Sequence, residues 1–357
     1  MKIAMHGIRE ITEEQARYIN QLGVTHVNLN QHWPTQDGPF LACDELRRLR
    51  ERVESFGLQV AALENVPIAH YDKLMLGLPG REQQLENLQK TITNVGRAGI
   101  PIFGFHFLPS GVWRTNRPLS DVGHDQGSDK TAAHTLGRES NNTLTELPRS
   151  GRGGAAVSTF DYELVKDAPL THGRVYTEDE MWENFTFLIR GIMPTAEEAG
   201  VKIAMHPDDP LVPSLGGIAR PFRSLEAFER AREIADSQMF GLTFCLGNWA
   251  LMGSEDMYAG LESFGRTGQL HYVHFQAVRG VRERFEEVFF DESEVFPSVV
   301  RALRQVGFEG AIVPAHAPSM GEDQGHWEYP WERDLMGLTH SVGYLQGLLR
   351  GSEEVSE

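Results

Sequence analysis

Eight short apolar runs, each followed by a longer stretch of helical period, constrain this chain more than any other feature. The runs are Lys2–His6, Thr25–Leu29, Leu58–Glu64, Pro101–Phe107, Val201–His206, Gly241–Cys245, Leu270–Phe275 and Ala311–His316. Apolar residues recur at helical spacing in Glu13–Leu22, Asp44–Phe56, Gln83–Ala98, Thr177–Ala199, Ser224–Ala235, Ser254–Ser263, Val295–Val306 and Trp331–Leu349. Strand then helix, repeated, is the pattern of a parallel sheet. Eight repeats predict an α/β fold, a (β/α)8 TIM barrel. The rival, an open doubly wound sheet, would want a phosphate-binding glycine fingerprint after its first strand, and MHGIRE offers none. With 357 residues and 40% hydrophobic content, the chain can build the barrel as one domain, 1–357.

One segment breaks the alternation. Residues 116–160 are rich in Gly, Ser, Thr, Asn and Asp and show little periodicity. They read as a polar insertion in the fourth βα-loop, either a surface excursion or a lid over substrate.

Charge narrows the partners. A formal net charge of −17 with 33 Lys and Arg argues against nucleic acid, whose phosphates need a positive face. A small acidic molecule can still bind in a locally positive pocket. No apolar run approaches the ~18–20 residues that span a bilayer, so no membrane partner is expected. The N-terminal MKIAMHGIRE has no apolar signal-peptide core. Two cysteines, Cys43 and Cys245, cannot build a disulfide framework and suit a reducing compartment. A cytoplasmic protein is expected, and a homo-oligomer is compatible with everything above.

The strand ends carry the chemistry. In a barrel of this kind the catalytic side chains sit where the strands finish. KIAMHPDDP, Lys202–Pro210, ends an apolar run with an imidazole and follows it with a proline that cannot continue the ladder. The ends of runs three to eight carry Glu64, His106, His206, Cys245, His274 and His316. A lone buried histidine is more often a satisfied core group, and a lone cysteine a small hydrophobe. Six consecutive ends with ligand or acid–base side chains can instead surround one divalent ion. Asp208 and Asp209 read either as caps of the following turn or as groups that orient a substrate hydroxyl. Arg114, in VWRTNRP, reads as a bidentate grip on a carboxylate or as a solvated loop charge.

These motifs together resemble the mannonate dehydratase family, xylose-isomerase-like barrels that dehydrate a sugar acid. The resemblance runs through ENVPIAHYDKLMLGLPGREQQLENLQKTITNVGRAGI, FHFLPSGVWRT, GLTFCLGNWA and HYVHFQAV. It is closest in MWENFTFLIRGIMPTAEEAGVKIAMHPDDP. It implies D-mannonate as substrate, 2-keto-3-deoxy-D-gluconate as product, and a divalent metal, usually Mn²⁺, with Zn, Fe, Co or Mg also compatible. It places three metal ligands on His206, Cys245 and His274. It also suggests His316 and Arg114 as catalytic groups, and His106, Glu64, Asp208 and Asp209 at the substrate.

The eighth run departs from the family pattern of arginine-proline-aspartate-histidine-glycine-arginine. Here it reads VPAHAP, so Ala315 stands where the aspartate ligand is expected, and Val313 and Pro318 replace the two arginines. Gln276 and Ala277 replace an arginine–asparagine pair after run seven, and Tyr329 lacks the surroundings of the family's late tyrosine. Glu64, Glu287 and Glu292 are candidates for a substitute carboxylate. Two other functions therefore stay open: a metal-dependent sugar isomerase or epimerase, and a non-catalytic sugar-acid binder.

Overall fold

The apolar runs become the staves of a closed parallel barrel. The computed structural model describes residues 1–30, 38–115, 151–155, 157–318, 320 and 335–352. The staves are β1 Lys2–Ile8, β2 His26–Asn30, β3 Gln59–Glu64, β4 Ile102–His106, β5 Lys202–His206, β6 Phe240–Cys245, β7 Leu270–Phe275 and β8 Ala311–Pro314. Each pairs with the next, and β8 closes on β1 through Lys2↔Ala311 and Ile3↔Ile312.

Side chains alternate across each stave. Val27, Leu29, Leu63, Phe103, Ile203 and Met205 face the helices and join the main core. Ala4, Ala62, Ala204, Tyr272, Ala311 and Val313 form a separate cluster. Small residues leave room in that cluster for one large ring. A Cβ on Gly104 would collide with the Tyr272 hydroxyl, so glycine there is what admits the tyrosine.

The outer helices start and stop where their ends are satisfied. Helix Glu178–Ala199 begins with a capping box between Thr177 and Glu180 and ends at Gly200, whose φ of 66° suits glycine. Its Trp182 meets Phe222 edge-to-face and its Phe185 meets the same ring at a tilt, with ring centroids 5.0 and 4.8 Å away respectively.

Register decides which strand-end residues become neighbours. His106 pairs with His206 across β4 and β5. Cys245 pairs with His274 across β6 and β7. Asn30 pairs with Glu64 across β2 and β3.

Three features differ from the sequence reading. First, β8 stops at Pro314 and not at His316. His316 has φ 56°, outside extended geometry, so it stands two residues past the stave. Second, a three-stranded antiparallel sheet of Val278–Val281, Arg284–Glu287 and Thr159–Asp161 flanks the barrel mouth. Third, short helices Asp72–Leu76 and Leu246–Met252 join the expected set. Residues 116–150 and 156 of the expected insertion lie outside the described residues, as do Tyr329 and Trp331. The insertion's end is described, and Phe160 packs there with Trp113, Val212 and Phe285.

Candidate functional site

Three staves converge on one point. His206, Cys245 and His274 are all buried, and each offers a ligand atom within 4.8 Å of the other two. A single cation bonded at about 2.0–2.3 Å to each donor spans such a set. The imidazole rings of His206 and His274 are 5.6 Å apart, and His106 lies over His206 at 4.3 Å.

Neighbouring groups orient these donors. The Pro207 carbonyl lies 2.8 Å from His206 Nδ1 and accepts its proton, which leaves Nε2 with the lone pair. Burial, reinforced by His274, lowers the His206 pKa to about 3, so this ring is neutral at ordinary pH. Glu64 Oε2 lies 3.2 Å from His274 Nε2 and fixes that ring. Burial opposes ionisation of Glu64, but His274 and then His6 outweigh it and hold the carboxyl below its usual range. Cys245 Sγ donates to Gln276 Oε1 at 3.0 Å. Burial first, then the charge of Asp209, pushes its thiol well above the usual range, so a cation is needed to draw off the proton. Two imidazoles and a thiol fit a divalent transition-metal ion.

Beside the cluster lies a second network. His316 Nδ1 is 2.7 Å from Glu287 Oε1, and Gln276 Nε2 donates to the same oxygen at 2.9 Å. Gln276 thus connects Cys245 to the Glu287–His316 pair. Glu287 is buried, yet His316 and then Arg114 more than offset that burial and bring its pKa to about 2. Burial lowers the His316 pKa, with Glu287 opposing it, so the ring is a neutral base at ordinary pH.

Arg114 has a different place from the one its sequence suggested. Its side chain is fully buried, with Nη1 and Nη2 donating to the two oxygens of Asp209 at 2.7 and 2.8 Å. Nη2 also donates to Glu287 at 3.0 Å, and Nε to Ser158 at 2.9 Å. With both edges committed to protein carboxylates, Arg114 is a clamp within the network and not an open fork for a substrate acid. Asp209 is correspondingly the clamp's partner.

Asp208 also turns inward. Its Oδ2 accepts from the Phe222 backbone at 2.6 Å, which is the turn-holding alternative. Burial raises its pKa to about 7. Glu292 pairs with Arg279 at 3.5 Å on the surface and takes no part in the cluster. His106 donates from Nε2 to Asn65 Oδ1 at 2.9 Å. Asn65 and His316 are two of the three non-glycine residues with positive φ among the described residues, so backbone strain concentrates at the mouth.

The D-mannonate dehydratase family model matches residues 2–357. The chain belongs to that family. Mannonate dehydratase of Streptococcus agalactiae serotype Ia is 29% identical over 87% of this chain and 88% of its own length. The Thermotoga maritima mannonate dehydratase is 26% identical over 85% and 86%. Among solved structures, the mannonate dehydratase of Streptococcus suis serotype 2 superposes with a TM-score of 0.79 at 23% identity, covering 100% of this chain and 94% of that one. A D-psicose 3-epimerase from Clostridium cellulolyticum H10 superposes with a TM-score of 0.57 at 11% identity, covering 98% of each chain, and so shares the fold.

His206, Cys245 and His274, the set that the resemblance implies, lie together, and the chain departs from the implied pattern at β8. Ala315 is buried and its backbone N–H bonds to the Phe275 carbonyl, so that position offers no carboxylate. Gln276 stands where the resemblance expects arginine, and it bridges Cys245 to Glu287. His6, Asn28 and Asn30, on β1 and β2, were absent from the sequence reading. They too are buried polar residues at or just below the barrel mouth. Their runs could have shown them, because Asn28 and Asn30 alternate with Val27 and Leu29.

Proposed function

We propose that this chain is a metal-assisted hydro-lyase that dehydrates a sugar acid, D-mannonate, to 2-keto-3-deoxy-D-gluconate. The observation that carries the reading is the convergence of His206, Cys245 and His274 in a chain of this family. The reaction removes the proton beside the carboxylate and expels the neighbouring hydroxyl, and the enol left behind becomes the ketone.

A divalent ion held by His206, Cys245 and His274, with Mn²⁺ as the first candidate, would supply Lewis-acid stabilisation of the charge that develops next to the carboxylate. His316 is the proton acceptor. Glu287 holds its Nδ1 proton, which makes Nε2 the basic nitrogen of the ring. Glu287 fixes the tautomer and favours the imidazolium that forms. Arg114 and Asp209 keep Glu287 in place and ionised. His106, whose ring centroid lies 4.3 Å from that of His206, stands next to the ion site on the substrate side, and Glu64 braces His274.

A second reading follows from Arg114. Because its guanidinium is already paired with Asp209 and Glu287, Arg114 does not offer its fork to a substrate carboxylate, and a neutral sugar isomerised or epimerised over the same ion suits that arrangement. A third, a binder without chemistry, follows from Ala315. Incubating Mn²⁺-loaded protein with D-mannonate and assaying for a 2-keto-3-deoxy acid separates them. Product formation supports dehydration. Turnover of a neutral ketose without that product favours the isomerase, and binding without turnover favours the binder.

A further inference from the structure

The wall across the barrel from the ligand cluster contains buried polar atoms that find no partner among the described residues. β2 stands four staves from β6 in the closed ring, so it faces Cys245 across the lumen. Asn28 and Asn30 alternate along β2 with Val27 and Leu29, which belong to the outer core, so both asparagines point inward. Asn28 is 0% exposed, Asn30 2% and Glu64 3%. Among the described residues, Asn28 Nδ2 and Oδ1, Asn30 Oδ1 and Glu64 Oε1 have no hydrogen-bond partner.

Buried amide and carboxylate atoms are almost always paired in native proteins, because leaving them unpaired is costly. Four such atoms on two neighbouring staves need a reason. Asn30 and Glu64 are register partners, so they sit side by side about 4.8 Å apart on adjacent strands, and Asn28 lies one layer deeper. Glu64 also ties this wall to the cluster, since its other oxygen holds His274.

We propose that Asn28, Asn30 and Glu64 form the hydroxyl-recognition wall of the site, and that it receives the polyol tail of the substrate. This rests on the dehydratase reading for which end of the ligand meets the wall. An amide presents both a donor and an acceptor, and a hydroxyl answers both. The spare carboxylate oxygen accepts one more O–H. An apolar tail would leave all four atoms unpaired and is rejected for that reason. In a barrel of this kind the ligand lies at the mouth, above the packed interior, so a chain that begins at the cluster ends against the opposite staves.

The test is calorimetric titration of the full Mn²⁺-loaded chain, wild type and Asn30→Ala, with D-mannonate and with L-glycerate. L-Glycerate keeps the carboxylate, the configuration at C2 and a hydroxyl on each of the first two carbons beyond it, and lacks the tail. The wall predicts that Asn30→Ala weakens D-mannonate about tenfold, the value of one hydrogen bond, and leaves L-glycerate unchanged. Equal affinities for D-mannonate in the two proteins, or equal weakening of both acids, overturns it. If wild type binds neither acid, the dehydratase reading fails, and D-mannitol decides the wall. Binding lost in Asn30→Ala supports it, and no binding to wild type, or binding that ignores the substitution, overturns it. Stability provides a second readout. Asn28→Leu removes two unpartnered atoms, so it raises the melting temperature of the ligand-free protein while weakening D-mannonate. A lowered melting temperature would mark Asn28 as structural and remove it from the wall.

Discussion

Glu287 Oε1 lies 2.7 Å from His316 Nδ1, although the carboxylate comes from a strand outside the barrel and the imidazole from the loop beyond β8. A carboxylate that holds one ring nitrogen determines what the other can do. His316→Ala is expected to lower kcat by about 10²–10⁴-fold with the metal content unchanged. Glu287→Gln keeps the hydrogen-bond geometry but removes the charge, so its loss is smaller and lies in kcat more than KM. Steady-state kinetics on D-mannonate checks both.

The same carboxylate makes stability depend on pH. The Glu287 pKa falls from 4.5 to about 2 on folding, so its contribution is fully present above about 4.5 and is lost as pH falls through about 2. Wild type should therefore exceed Glu287→Gln in stability by a few kcal/mol near neutrality, with the gap closing between those limits. Denaturant midpoints of both proteins at pH 7, 4 and 3 measure it.

Arg114 neutralises two buried acids, so removing it leaves Asp209 and Glu287 uncompensated. Arg114→Met is expected to cost about 3–5 kcal/mol. A lysine can reach one carboxylate but not clasp Asp209 with two parallel bonds, so Arg114→Lys recovers part of the loss. Equilibrium unfolding of the three proteins gives the order.

The barrel interior offers a test free of the chemistry. Gly104→Ala drives a methyl into the Tyr272 hydroxyl and is expected to cost about 1–3 kcal/mol. Adding Tyr272→Phe removes the clashing oxygen and should restore part of the stability, in a double-mutant cycle read by thermal unfolding.

The contrast between Cys245 and Glu287 shows what the sequence could reveal. Cys245, His206 and His274 each end an apolar run, so strand periodicity alone brings them to the mouth, and parallel pairing makes neighbours of them. Glu287 belongs to RFEE, a short antiparallel strand whose polar composition gives no core-facing stripe. Its burial arises from the sheet it forms with Thr159–Asp161, and no local pattern announces that pairing. Arg114 and Asp209 were visible as charges, but their mutual pairing depends on loops 95 residues apart. His316 was placed on a strand because VPAH reads as extended, and only its positive φ takes it off. Asn28 alternates with Val27 and Leu29 inside the expected run, whereas Asn30 lies one residue past it, and amides carry no ligand signature.

The central claim is that two imidazoles and one thiol from β5, β6 and β7 hold a divalent ion at which the chain does its chemistry. Metal analysis of Mn²⁺-loaded wild type and Cys245→Ala after gel filtration tests it most directly. About one equivalent per wild-type chain, with the variant folded and largely metal-free, is the expected result. Equal metal in both proteins, or none in wild type, would contradict the account.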